Sequence, residues 1–76
     1  MNLPPESIEI GACYLTRTGM VRRVLHILSD GRVQYESRPG ATLRAFNSMP
    51  HIRDLRSFAF SVERAVPCDW TPERQA

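Results

Sequence analysis

Residues 12–38 read ACYLTRTGMVRRVLHILSDGRVQYESR: three short apolar segments separated by two glycine turns, with arginines between the apolar positions. The middle segment, residues 20–28, fits two periods. Val21, Val24, Leu25 and Leu28 recur at helical spacing, whereas Val21, Arg23, Leu25 and Ile27 alternate as in a strand. Glycine turns bound it on both sides, and the next segment, through Val33 and Tyr35, alternates cleanly, so the pattern predicts a strand. A further strand over residues 12–16 precedes it. The two are joined by Arg17-Thr18-Gly19, where glycine adopts positive φ without steric cost.

The turn Ser29-Asp30-Gly31 sets the pairing of the second and third strands. A two-residue Asp-Gly loop puts Ile27 opposite Gln34 and Leu25 opposite Glu36, apolar against polar. A three-residue loop with Gly31 left-handed pairs Ile27 with Val33 and Leu25 with Tyr35. The second register is expected, because a one-residue slip sends the whole apolar set to solvent. It turns Arg22, Val24, His26 and Leu28 outward, across from Arg38, Glu36, Gln34 and Arg32. Like charges directly opposed destabilise a sheet, so Arg22 facing Arg38 requires a carboxylate such as Glu36 nearby, or an anionic partner.

Working outward, residues 1–10 contain Pro4 and Pro5 and read as a flexible lead-in with a short extended piece at Ile8 and Ile10. Residues 41–46 are a weaker strand candidate, followed by a turn-rich stretch over 47–50. Between residues 54 and 66, Leu55, Phe58, Ala59, Val62 and Val66 form one stripe at helical spacing. Asp54 is the expected cap, and Pro67 the stop. A strand through Phe58, Phe60 and Val62 is the rival, and it accounts for Phe60 better, since the helix turns Phe60 away from the core. Trp70 is expected to fold back over the core, given the large apolar area of a tryptophan. Residues 71–76 are expected to be a mobile tail.

A chain of 76 residues has room for a single core, here one β-rich domain over residues 11–70. No long apolar run predicts a membrane span, and no leader pattern is evident, so cytoplasmic residence and reduced Cys13 and Cys68 are expected. All the positive residues are arginine, yet the net charge is only +2, so basic character depends on local clustering.

The strings VRRVL (21–25), DGRVQYESR (30–38) and VPCDW (66–70) resemble short uncharacterised proteobacterial proteins that look like a small SH3-like barrel. The resemblance spans residues 11–72. It implies an α+β, mostly β fold: a small antiparallel SH3-like sheet or half-barrel of 3–5 strands with one C-terminal helix. It implies no reaction and carries over no catalytic residue.

Chemistry read from the residues is sparse. Cys13, His26, His51 and Cys68 lack the paired spacing of a zinc site, so neither metal nor cofactor is expected. Neither cysteine has a base and an orienting group beside it, and no enzyme is expected. What remains is a binding module acting through a basic sheet face. Arg22, Val24, His26, Leu28, Arg32, Arg38 and Phe60 are its candidate contacts, and a protein partner or self-association is the expected use. Nucleic acid is the alternative partner, through the same arginines with Arg17, Arg23 and Arg44 and with Tyr14 as a stacking ring.

Overall fold

The three apolar segments of residues 12–38 do pair as an antiparallel meander. A computed structural model of the chain describes residues 3–43, 45–46 and 49–72. Its elements are β1 (Cys13–Thr16), β2 (Met20–Ile27), β3 (Arg32–Pro39), β4 (His51–Asp54), helix α1 (Leu55–Ser61) and β5 (Val62–Val66). They form one five-stranded sheet in the order β4-β3-β2-β1-β5, with every neighbouring pair antiparallel. The fold is therefore α+β and mostly β. Arg44, a nucleic-acid candidate, lies outside the described residues, as does most of the tail. Gly19 and Gly31 both take φ of +87°, which is what the two turns demand of them.

The expected register holds beside the second turn, where Ile27 pairs with Val33 and His26 with Gln34. It then shifts between Val24 and His26, because Leu25 is an extra, bulged residue. Beyond the bulge Val24 pairs with Tyr35, Arg22 with Ser37, and Val21 with Arg38. Two expected outward residues are consequently inside: Val24 is 1% exposed and Arg38 2%. The opposed pair Arg22 and Arg38 does not form.

The bulge matters because this sheet buries both faces. On one, Tyr14, Val24, Val33 and Tyr35 pack with Phe58, Ala59 and Val62, and with Ile8 from the N-terminal segment. On the other, Cys13, Leu15 and Val21 pack with Val66 and Trp70. Strand β1 alternates between these two cores and is buried throughout. The expected uncovered face, with Val24 and Arg38 outward, is instead packed, because both sides of the sheet carry a core.

The stripe over residues 54–66 divides between a helix and a strand. The Asp54 side chain accepts hydrogen bonds from the backbone N–H of Arg56 and Ser57, capping α1 as expected. The helix stops at Ser61, short of the expected end at 66, because Val62 and Val66 are needed opposite Thr16 and Cys13. Leu55, Phe58 and Ala59 follow the helical stripe as expected, the rival strand through Phe58 and Phe60 does not form, and Val62 and Val66, expected in the helix, belong to β5.

The lead-in is also more ordered than expected. Pro5–Ser7 forms a 3-10 turn, Ile8 is buried, and the Tyr14 hydroxyl accepts from the Glu9 N–H at 2.8 Å. At the other end Trp70 folds back as expected. The turn from Pro67, closed by Trp70 N–H donating to the Pro67 carbonyl at 2.9 Å, returns residue 68 to β1. There Cys13 and Cys68 form a disulfide with Cα atoms 5.1 Å apart, correcting the expectation of free thiols. Pairing of Cys13 with Val66 brings the two cysteines together.

Arg38 fastens the same segment. Its Nη1 donates to the Pro39 and Thr42 carbonyls and its Nη2 to those of Cys68, at 2.9 Å, and Trp70, at 2.7 Å. Burial lowers its pKa from the ordinary arginine value, and the nearby Asp69 opposes that shift. Among the described residues no helix is long and apolar enough to cross a membrane.

Candidate functional site

Only two of the seven candidate contacts meet. Val24 and Arg38 belong to the cores, as described. His26 is exposed beside Gln34 on the face opposite α1, and Arg32 is exposed and paired with Asp30. Leu28 is half-buried where its N–H donates to the Arg32 carbonyl. Arg22 and Phe60, by contrast, line one open cleft of about 420 Å³ together with Thr16, Arg17, Thr18 and Ser61.

The cleft exists because α1 ends beside the β1–β2 turn. Carbonyls in the last turn of a helix have no intrahelical partner, and they carry the negative end of its dipole. Arg17 uses one of them, with Nη2 donating to the Phe60 carbonyl at 3.3 Å and the guanidinium 5.6 Å from the centre of the Phe60 ring. Phe60 itself is 63% exposed. Arg22 is held from two sides. Its Nη1 donates to Ser61 Oγ at 2.8 Å, and its guanidinium lies 5.0 Å from the centre of the Tyr35 ring. Ser61 Oγ in turn donates to the Phe58 carbonyl at 2.7 Å, which fixes the hydroxyl as the acceptor of the arginine. Thr16 Oγ1 accepts from the Met20 N–H and shares a hydrogen bond of 3.1 Å with Thr18 Oγ1.

The cleft is cationic, with Arg17 and Arg22 and no Asp or Glu among its described lining residues. Arg23 pairs with Glu36 and Arg32 with Asp30, and none of these four residues lines the cleft. Burial lowers the Arg22 pKa, the Tyr35 hydroxyl acts to raise it, and Arg53 lowers it further. The Arg22 Nε is enclosed and has no hydrogen-bond acceptor. Leaving such a donor unpaired costs about 1–3 kcal/mol, more for a charged group.

Sequence reasoning missed Thr16, Thr18 and Ser61 and named Arg17 only for nucleic acid. One signal was present: Phe60 failed to fit the helical stripe, which marks it as exposed. The cleft's other half comes from residues more than 35 positions away in the chain, which periodicity does not connect. Several residues proposed for nucleic acid are committed elsewhere. Tyr14 is buried against Phe58, and Arg23 is paired with Glu36 and stacked 4.5 Å from the Phe46 ring centre.

Among the described residues no three His, Cys, Asp or Glu side chains gather as a metal-ligand set. No protein-family model, no curated protein and no solved structure matches the chain.

Proposed function

We propose that the protein is a non-enzymatic binding module whose cleft beside α1 docks a segment of a partner protein. The observation that carries this is the combination in one place of an exposed Phe60 ring with Arg17 and Arg22, neither of which is neutralised by a carboxylate among the described residues. Arginine and aromatic side chains are the types that dominate interface energetics, and both guanidiniums are pre-oriented, which lowers the entropy lost on binding. The strand order β4-β3-β2-β1-β5, with α1 between β4 and β5, supports the SH3-like reading, and small barrels of that kind serve as peptide-docking modules by analogy of fold. The Cys13–Cys68 bridge favours an oxidising setting over the reducing cytoplasm.

Two other uses are weaker. Self-association has the exposed edge strand β4, with Ile52 half-exposed, in its favour. Nucleic-acid binding has lost Arg38, Arg23 and Tyr14 to the interior or to internal partners. Affinity capture from the native cell extract, with the wild type beside Phe60→Ala, tests the proposal. A protein that binds again after purification, and binds at least tenfold less to Phe60→Ala, is expected. Binding to single- or double-stranded oligonucleotides at low salt, with no such protein found, would replace this reading by the nucleic-acid one.

A further inference from the structure

The two sulfurs of the Cys13–Cys68 bridge differ in what can reach them. Cys13 lies in β1, is 2% exposed, and packs with Leu15, Val21, Val66 and Trp70 in the second core. Cys68 is half-buried between the exposed residues Pro67 and Asp69, and its Sγ lies 3.8 Å from the Gly11 carbonyl oxygen in a solvent-exposed contact. Thiol–disulfide exchange begins with a thiolate attacking one of the two sulfurs, so access decides which is attacked. Burial makes Cys13 the poorer leaving thiol, and this slows exchange at Cys68. Attack at Cys13 has first to wait for the second core to open, so the slower departure does not redirect it.

Breaking the bridge does not release the segment that carries Cys68. Arg38 Nη2 donates to the carbonyls of Cys68 and Trp70, bonds that do not involve the sulfur, and the Trp70 ring remains packed in the second core. Pairing of Cys13 with Val66 holds the approach to the turn. Cys68 therefore stays beside Cys13 after the bond is broken, and a thiol held at high effective concentration closes the bridge again.

We infer that the bridge is a redox latch that a low-molecular-weight thiol opens in the folded protein, and that Cys68 is the sulfur it modifies. In the first step the incoming thiolate attacks Cys68 Sγ. The Cys13–Cys68 bond breaks, a mixed disulfide forms on Cys68, and the departing Cys13 thiolate takes a proton from solvent. A second thiolate then attacks the small-molecule sulfur of that mixed disulfide, giving the symmetrical small disulfide and the Cys68 thiol. Two thiols are oxidised and the bridge gains two electrons.

Reduced glutathione is the probe. The oxidised wild type is incubated with it at neutral pH, without urea and at urea concentrations below the unfolding transition, quenched in acid to trap the short-lived adduct, and mapped by peptide mass spectrometry. Glutathione is expected on Cys68 at least tenfold more than on Cys13, and the opening rate is expected to stay within twofold across those urea concentrations. The single variants give a second measurement. With glutathione disulfide in native buffer, Cys13→Ala is expected to be modified at Cys68 at least tenfold faster than Cys68→Ala is at Cys13, and in denaturing urea the two rates should converge.

An adduct chiefly on Cys13 would overturn the inference, as would a bridge that glutathione leaves intact in the folded protein. So would an opening rate that climbs with urea in step with global unfolding, or equal rates for the two single variants in native buffer.

Discussion

Arg38 and Trp70 are joined inside the protein by a hydrogen bond of 2.7 Å from the guanidinium to the Trp70 backbone carbonyl, a contact that ties β3 to the C-terminal segment across 32 residues. All four donations of Arg38 go to backbone carbonyls, two of them in residues 67–71. A buried cation solvated by carbonyls is a fixed part of the core architecture, since removing it strands four acceptors. Arg38→Met is expected to destabilise the domain by about 3–5 kcal/mol in urea unfolding, within the range for breaking buried charged networks. Arg38→Lys should recover little, because a point ammonium does not reproduce the planar fork.

The Cys13–Cys68 bond acts on the same segment. It closes a loop with a sequence separation of 55. Loop-closure entropy for that length gives about 4 kcal/mol. The purified oxidised protein should contain no alkylatable thiol until it is reduced, and the double variant Cys13→Ala/Cys68→Ala should unfold at lower urea by about 2–4 kcal/mol. Quantitative alkylation of both thiols in the untreated native protein would rule the bridge out.

The bulge at Leu25 makes an unusual prediction for two adjacent residues. Val24 is in the core beside Tyr35, whereas Leu25 is half-buried outside the ladder. Val24→Asp should unfold the protein, because an unpaired buried carboxylate is costly, and Leu25→Asp should leave it folded with a lower midpoint. Circular dichroism of the two variants distinguishes them. The reverse ranking is what an unbulged strand would give.

Gly40 is constrained differently from the turn glycines. Its N–H donates to the Gly19 carbonyl at 2.8 Å, and a Cβ at residue 40 would overlap that same carbonyl and the Trp70 ring. Backbone and a packed indole have little room to give way. Gly40→Ala is expected to lower the thermal midpoint clearly, and the loss should be accompanied by a change in Trp70 fluorescence.

Arg22 and Arg38 both have folded pKa values lowered from the ordinary arginine value, primarily by burial. For such cations the unfolded chain binds protons more readily, so their contribution to stability rises with pH only in the strongly alkaline window just below that value. Through about pH 5 to 9 they stay charged and contribute no slope.

The parts of this architecture that were legible in the sequence are those that local chemistry determines. Gly31 and the apolar pair Ile27 and Val33 fixed the pairing next to their turn, and Asp54 announced the start of α1. The bulge was not legible, because Val24 and Leu25 are both apolar and either can take the inward position. Their choice depends on whether the sheet has one covered face or two. That in turn depends on Trp70 and the Cys13–Cys68 bridge, which lie far off in sequence. Arg38 was misread for the same reason: a charged residue in a strand reads as outward unless its carbonyl acceptors are known. Phe60 was legible as an exposed ring, but its companions Arg17 and Arg22 came to it through tertiary packing alone.

The central claim is that the partner docks on the cleft between the β1–β2 turn and the end of α1. Hydrogen–deuterium exchange of the intact protein with and without the purified partner tests this most directly. Protection is predicted at Thr16, Arg17 and Thr18 and at Phe60 and Ser61, with β4 unchanged. Protection confined to β4 and the face carrying His26 and Gln34, with the cleft exchanging as in the free protein, would contradict it.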